Sequence, residues 1–245
     1  MKMFVAEITH LKKSFDGNEV LKDINIKLEK GQNLVILGRS GSGKSVLIKC
    51  MVGLLNPDFG SISLLGKDIA ALSERDLNVL RKKIGFLFQS AALYDSMTVR
   101  ENLEFPLHGS KEKTRKEIDA LVMEMLKNVG LEDAIDKFPS ELSGGMRKRI
   151  GLARALMLKP EIILYDEPTT GLDPITSREI SNLILEVQKK YNAASVIITH
   201  DVECARITAN HIVMIKDGYC AAEGTFQELS ESTDDWIRSF FNQEK

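Results

Sequence analysis

The chain has 245 residues, of which 43% are hydrophobic and 28% charged, the proportions of an ordinary globular protein and not of disordered, collagen-like or coiled-coil chains. Its 33 lysines and arginines against 35 aspartates and glutamates leave a formal charge of −2, so no global field draws it to nucleic acid or to anionic lipid. At this length one large domain, or a core with a subdomain, is expected.

In chain order, the first thirty residues alternate short apolar and polar runs, as in Ile24-Asn25-Ile26-Lys27-Leu28, broken at Asp16-Gly17-Asn18 and Lys30-Gly31. This predicts antiparallel strands joined by turns. Leu34 to Leu37 is a continuous apolar run that enters a glycine-rich turn, and Ser45 to Val52 has the apolar content of a helix. From about Glu101 to Leu158 the pattern turns helical, with Ile118, Leu121, Val122, Met125, Leu126 and Val129 at spacings of three and four. Strands resume at Glu161–Tyr165, Ala194–Ile198 and His211–Ile215, with a helix over Arg178–Lys190 between the first two. Unalternated apolar strands of this kind belong to a buried parallel sheet. The three cysteines, Cys50, Cys204 and Cys220, are far apart and form no C-x-x-C, which suits a reducing, cytoplasmic compartment. The longest charge-free run, Ile84 to Tyr94, is too short to span a bilayer, and residues 1–4 begin no signal peptide.

Gly38-Arg39-Ser40-Gly41-Ser42-Gly43-Lys44-Ser45 fits G-x-x-x-x-G-K-[ST] between a predicted strand and a predicted helix. Its glycines let backbone N–H groups curl around phosphate oxygens, Lys44 reaches the terminal phosphates, and the Ser45 hydroxyl can ligate Mg²⁺. Asp166 and Glu167 follow the apolar run Ile162–Tyr165, at the strand end where parallel α/β sheets present ligands. Asp166 suits Mg²⁺, and Glu167 suits a base that polarises an attacking water. His200 lies just beyond Val196–Thr199 and is the histidine best placed to contact that water; alone, it would read as a structural group. His10, His108 and His211 have no comparable setting.

Leu142-Ser143-Gly144-Gly145-Met146 resembles the signature sequence of ABC ATPases, and the resemblance extends over nearly the whole chain. It implies an α/β fold with a phosphate-loop NTPase (RecA-like) core, an antiparallel β subdomain and an inserted helical subdomain. Residues 1–88 and 160–228 would form the ATP-binding core with its amino-terminal β subdomain, 89–159 the helical signature subdomain, and 229–245 a helical tail. The resemblance further implies binding of ATP and Mg²⁺, with the phosphate loop from Gly38 to Ser45 and on to Val46, Gln89 as the Q-loop glutamine, and Ser45, Gln89 and Asp166 around the metal. It makes Glu167, His200, Lys44 and Gln89 the catalytic set, and Gly171-Leu172-Asp173 the D-loop. Phe15 falls where the family stacks an aromatic on adenine; a core aromatic is the alternative.

Ser143, Gly144 and Gly145 form a second anion nest, and one chain cannot close both nests on one nucleotide. The family's solution is a head-to-tail homodimer with ATP sandwiched between protomers. Leu87–Val99, Glu101-Asn102, Phe105-Pro106-Leu107 and Ser143–Leu156 are similar to the ATPases of lipid transporters that work with MCE proteins, the maintenance-of-lipid-asymmetry type. This implies an MlaE-type permease, an MlaD-like MCE-domain protein and a small STAS-type regulatory subunit as partners, and a place on the cytoplasmic face of the inner membrane. Arg147, Lys148 and Arg149 read otherwise as a solvated basic helix face. The ATPase of a polar solute importer and a non-transport ABC regulator remain as alternatives. Trp236, Ile237, Phe240 and Phe241 share one helical face, to pack on the chain's own domain or on a partner.

Overall fold

The computed structural model describes residues 3–108 and 113–241. Strands β1 (Phe4–Phe15) and β2 (Asn18–Glu29) form a long antiparallel hairpin. Asp16 and Gly17 close it with positive φ (49° and 83°), the turn hand that matches the twist of the strands. Strand β3 (Asn33–Leu37) runs into the glycine-rich loop and helix α1 (Lys44–Met51). Strand β4 (Phe59–Leu64) pairs with β1, and the short β5 (Lys67–Asp68) pairs with β4. Helix α2 (Glu74–Arg81) and strand β6 (Ile84–Leu87) follow.

Among the described residues no strand interrupts the next stretch, which holds α3 (Val99–Glu104), α4 (Arg115–Val129) and α5 (Gly144–Leu156). The remainder alternates: β7 (Ile162–Asp166), α6 (Pro174–Tyr191), β8 (Ala194–Thr199), α7 (Val202–Thr208), β9 (His211–Lys216) and β10 (Tyr219–Gly224), then α8 (Phe226–Ser230) and α9 (Asp235–Phe241).

The ten strands form one mixed sheet in the order β5-β4-β1-β2-β10-β9-β3-β8-β7-β6. Strands β9, β3, β8, β7 and β6 are parallel, and their unalternated apolar sequences follow from burial on both faces. Val35, Leu37, Ile163, Tyr165 and Ile197 point into one core, which includes α4, α5 and α6. Leu34, Ile36, Ile162, Leu164 and Val196 point into the other, against α1 and the β1–β2 hairpin. Each fully buried Leu or Ile contributes roughly 1.5–3 kcal/mol. The chain is thus an α/β phosphate-loop NTPase core carrying an antiparallel β layer and an inserted run of helices.

The amino-terminal strands follow the sequence reading: they are twelve residues each, and Asp16-Gly17 and Lys30-Gly31 end them. Strands β4, β5, β6 and β10 carry no strand signal strong enough to stand alone. Strand β10 has alternately exposed and partly covered residues; it is a strand because it pairs antiparallel with β9, and its Tyr219 meets Asp23 of β2 to join the hairpin to the core sheet. The tail helix α9 packs on its own chain: Phe240 is buried, and Trp236, Ile237 and Phe241 lie against the same core.

Candidate active site

The loop from β3 to α1 wraps around Lys44. The Lys44 ammonium is buried and donates to the carbonyls of Gly38 (2.8 Å) and Arg39 (3.0 Å), so the lysine is folded back under the loop that it would share with phosphates. Gly43 caps α1 with φ +95°, and a Cβ there would stand 2.8 Å from Leu21 Cδ2; both the conformation and the contact require glycine. The Ser42 hydroxyl is buried with no hydrogen-bond partner. That orphaned donor, the remaining proton of the Lys44 ammonium and the amino end of α1 together make a cradle for an oxyanion.

Ser40, Gly41, Gly43, Lys44, Ser45 and Val46 line a cleft of about 420 Å³ whose opposite wall holds Gln89, Glu167, Thr170 and His200. The Ser45 hydroxyl donates to Asp166 Oδ1 at 3.3 Å. These two oxygens, with the Gln89 amide oxygen of the cleft lining, are hard donors of the kind that could hold Mg²⁺ alongside phosphate oxygens and water. Burial pushes the Asp166 carboxyl up, against the Ser45 hydrogen bond, which holds it down.

Glu167 has φ +49°, a left-handed conformation costly for a residue with a side chain and sparsely populated outside functional sites. Five contacts hold it. Its N–H donates to the Ile198 carbonyl (2.9 Å), its carbonyl accepts from the Lys148 ammonium (2.8 Å) and from the Thr170 N–H (3.3 Å), and its Oε2 accepts from the Thr170 hydroxyl (3.0 Å) and meets His200 Nδ1 (2.8 Å). Oε1 lies 3.6 Å from Lys44 Nζ. The carboxylate is therefore aimed into the cleft, beside the place where the terminal phosphate would lie.

Lys148 is a residue whose role sequence reasoning missed. The alternative reading of Arg147-Lys148-Arg149 as a solvated basic face fails at Lys148, which is buried, and the four buried charged side chains among the described residues are Lys44, Lys148, Asp166 and Glu167. Burial brings the Lys148 ammonium down to about 8, opposed by Asp166 and then Glu167; burial also lowers Lys44, opposed by Glu167. The signal was present in helical spacing: Gly145, Lys148, Leu152 and Leu156 fall on one buried stripe of α5. Arg149, partly buried, pairs with Glu179 (2.8 Å) and donates to the Val129 carbonyl (3.2 Å). Arg154 was also missed: it donates to the carbonyls of Ala91 and Ala92 (2.9 and 2.8 Å), two non-glycine residues with positive φ that shape the chain after Gln89.

Ser143 caps α5, its hydroxyl accepting from the Met146 N–H at 3.2 Å. A Cβ on Gly145 would lie 2.6 Å from Thr176 Cγ2, so this glycine lets α5 and α6 approach closely. Asp173 caps α6, its carboxylate accepting from the N–H groups of Ile175 and Thr176 and from the Thr176 hydroxyl. None of Ser143, Gly144, Gly145 and Asp173 lines the cleft of its own chain. Phe15 is not a core aromatic; it is 40% exposed, with Lys13 Nζ 5.4 Å from the ring centroid, and it too lies off the cleft lining. Arg39 sits over the ring of Phe240 at 5.9 Å, a contact between loop and tail that no sequence pattern indicated.

Fold and cleft together define a phosphate-loop nucleotide-triphosphate hydrolase. The family model described as ABC transporter matches residues 21–170. The probable ribonucleotide transport ATP-binding protein mkl of Mycobacterium leprae is 42% identical over 243 residues, covering 99% of this chain and 70% of that protein. The methionine import ATP-binding protein MetN of Clostridium tetani is 36% identical over 241 residues, covering 98% and 76%. Among solved structures, cbiO1 of Clostridium perfringens, described as part of the transporter complex cbiONQ, superposes with TM-score 0.85 at 32% identity over 92% of this chain and 90% of that one. The cassette MJ0796, solved as a dimer bound to ADP and Pi, gives TM-score 0.82 at 30% identity over 90% and 98%. The chain belongs to the ABC transporter family, as an ATP-hydrolysing subunit that uses ATP and Mg²⁺.

Proposed function

We propose that this subunit drives phospholipid movement between inner and outer membrane. It works as an ATP-bound homodimer on the cytoplasmic face of an MlaE-type permease, in a complex that includes an MlaD-like MCE-domain protein and admits a STAS-type regulatory subunit. In this reading residues 1–88 and 160–228 bind nucleotide, 89–159 form the signature subdomain that meets the permease, and 229–245 form the tail. The observation that carries the motor chemistry is Glu167, strained at φ +49° and held by Ile198, Lys148, Thr170 and His200 beside Lys44.

With ATP in the cleft, Lys44 exchanges its loop carbonyls for phosphate oxygens, and the Ser42 hydroxyl gains its missing partner. Ser45, Asp166 and Gln89 would hold Mg²⁺, which would supply positive charge beside the terminal phosphates. Glu167 orients and polarises the attacking water, with His200 fixing the carboxylate. Phe15, half exposed at the end of β1, takes the adenine face. Ser143, Gly144 and Gly145, remote from their own cleft, close the partner's, and Asp173 lies at the same junction.

The lipid assignment rests on the wording of residues 87–107 and 143–156 and is separable from the motor chemistry. No helix among the described residues is long and apolar enough to cross a membrane, and the proposal gives the transport path to the permease. A second reading, a polar solute importer, is favoured by the relative named for methionine import. Purification from detergent-extracted membranes of the host, with mass spectrometry of proteins and lipids, separates them. A permease with an MCE-domain protein and phospholipid supports the proposal; a permease with a soluble solute-binding protein overturns it in favour of the importer.

A further inference from the structure

Glu167 presents a problem of backbone geometry that its side-chain partners do not solve. It is a non-glycine residue at φ +49° followed directly by Pro168, and a residue before proline is sterically restricted as well. Such a conformation persists only where surrounding contacts over-determine it. The Ile198 carbonyl holds the N–H on one side of Cα. On the other side the Glu167 carbonyl is buried, and the Lys148 ammonium donates to it at 2.8 Å.

We propose that Lys148 is a positioning residue for ATP hydrolysis: its ammonium, reaching from the helix that carries the signature loop, holds the Glu167 peptide so that the carboxylate is aimed at the attacking water. Lys148 lies on the second turn of α5, whose cap is Ser143. The aim of Glu167 therefore depends on how α5 is seated, although Lys148 is absent from the cleft lining. Bringing an ammonium into this position is costly unless it is paired; its neighbours Asp166 and Glu167 supply the opposite charge, and it makes the shorter of the two hydrogen bonds to the Glu167 carbonyl, at 2.8 Å against 3.3 Å for the Thr170 N–H. A surface-facing lysine, or a packed leucine, would serve the helix alone without these costs.

The inference rests on the reading of Glu167 as the residue that activates water, and the test keeps the two apart. Lys148→Met retains the volume and removes the donor; Lys148→Arg retains a donor; Lys148→Gln serves if the methionine variant does not fold. Steady-state ATPase rates, ATP affinity and melting temperature are measured for these and for Glu167→Gln, with the Lys148→Met/Glu167→Gln double variant. A displacement of about 1 Å at a reacting group costs on the order of 10²-fold in rate. The expected result for Lys148→Met is a fall in kcat of about 10- to 100-fold with KM and ATP affinity unchanged, partial recovery in Lys148→Arg, and no further loss when added to Glu167→Gln. A Lys148→Met enzyme with the parent kcat, while Glu167→Gln is inactive, overturns the proposal. So does a joint loss of ATP affinity and melting temperature with effects that add to those of Glu167→Gln, which would mark Lys148 as a packing residue. Glu167→Gln hydrolysing at the parent rate would instead remove the reading of Glu167 itself, and this inference with it.

Discussion

His200 Nδ1 lies 2.8 Å from Glu167 Oε2, joining the ends of two adjacent parallel strands, β7 and β8, across the mouth of the cleft. The imidazole is half exposed while the carboxylate is nearly covered, so the histidine bridges solvent and a buried group. Glu167→Gln is expected to bind ATP with the parent affinity and to hydrolyse it about 10²- to 10⁴-fold more slowly, accumulating as an ATP-bound dimer. Equilibrium binding, phosphate release and size-exclusion chromatography in ATP measure the three. Rapid turnover would end the assignment of Glu167 as base. His200→Ala is expected to lose rate as well, with ATP binding retained.

Lys44 has a different signature because it serves binding. Its ammonium already spans Gly38 and Arg39, so Lys44→Ala removes both the phosphate partner and the strut under the loop. ATP affinity is expected to fall at least tenfold in titration calorimetry; an unchanged affinity contradicts the cradle.

Ser143 lies outside its own cleft, so Ser143→Arg leaves ATP binding by the isolated chain intact and abolishes hydrolysis. Mixing this variant with Glu167→Gln provides a sharper check. In a head-to-tail pair, one composite site receives both lesions and the other receives neither, so mixing two inactive proteins restores activity in the heterodimer fraction. Continued inactivity across all mixing ratios, with heterodimers demonstrated, argues against the sandwich.

Gly145→Ala tests packing. The added methyl would meet Thr176 Cγ2 at 2.6 Å, forcing α5 and α6 apart or twisting the threonine at a cost of roughly 1–3 kcal/mol. The melting temperature is expected to fall in Gly145→Ala and to recover in Gly145→Ala/Thr176→Ser, which removes the clashing methyl.

Three capping boxes set an acid limit. Glu101, Glu117 and Glu228 each accept from the backbone N–H of the threonine three residues earlier, which holds their carboxyls below the usual 4.5. A carboxylate with a lowered folded-state value contributes stability that is present above the unfolded value and is lost as pH falls through the folded one. The melting-temperature gap between the parent and Glu117→Gln is therefore expected to be widest above the usual 4.5 and to close as pH falls through the lowered folded-state value. A gap independent of pH would show that the ionised form of Glu117 contributes nothing.

The phosphate loop, the strand-end carboxylates and the parallel core were legible because each is written locally. A buried strand needs an uninterrupted apolar run such as Ile162–Tyr165, and an oxyanion loop needs glycines at fixed offsets from a lysine. Strand β10 was not legible, since its alternate residues acquire partners only when β9 and β2 arrive on either side.

The sequence by itself determined which residues could do chemistry: Lys44, Ser45, Asp166, Glu167 and His200 are identified by residue type and by their place at the ends of apolar runs. Tertiary structure alone decided how they are held. Lys148 reads as one cation in Arg147-Lys148-Arg149, and only the seating of α5 among α3, α4, α6 and β6 sends it inward to the Glu167 carbonyl while Arg149 turns to Glu179. The contact of Arg39 with Phe240 joins residues some two hundred positions apart. The physical reason is the range of the forces involved: backbone conformation and apolar periodicity are set over a few residues, whereas the burial of a charge and the choice of its partner depend on what the rest of the chain brings to that place.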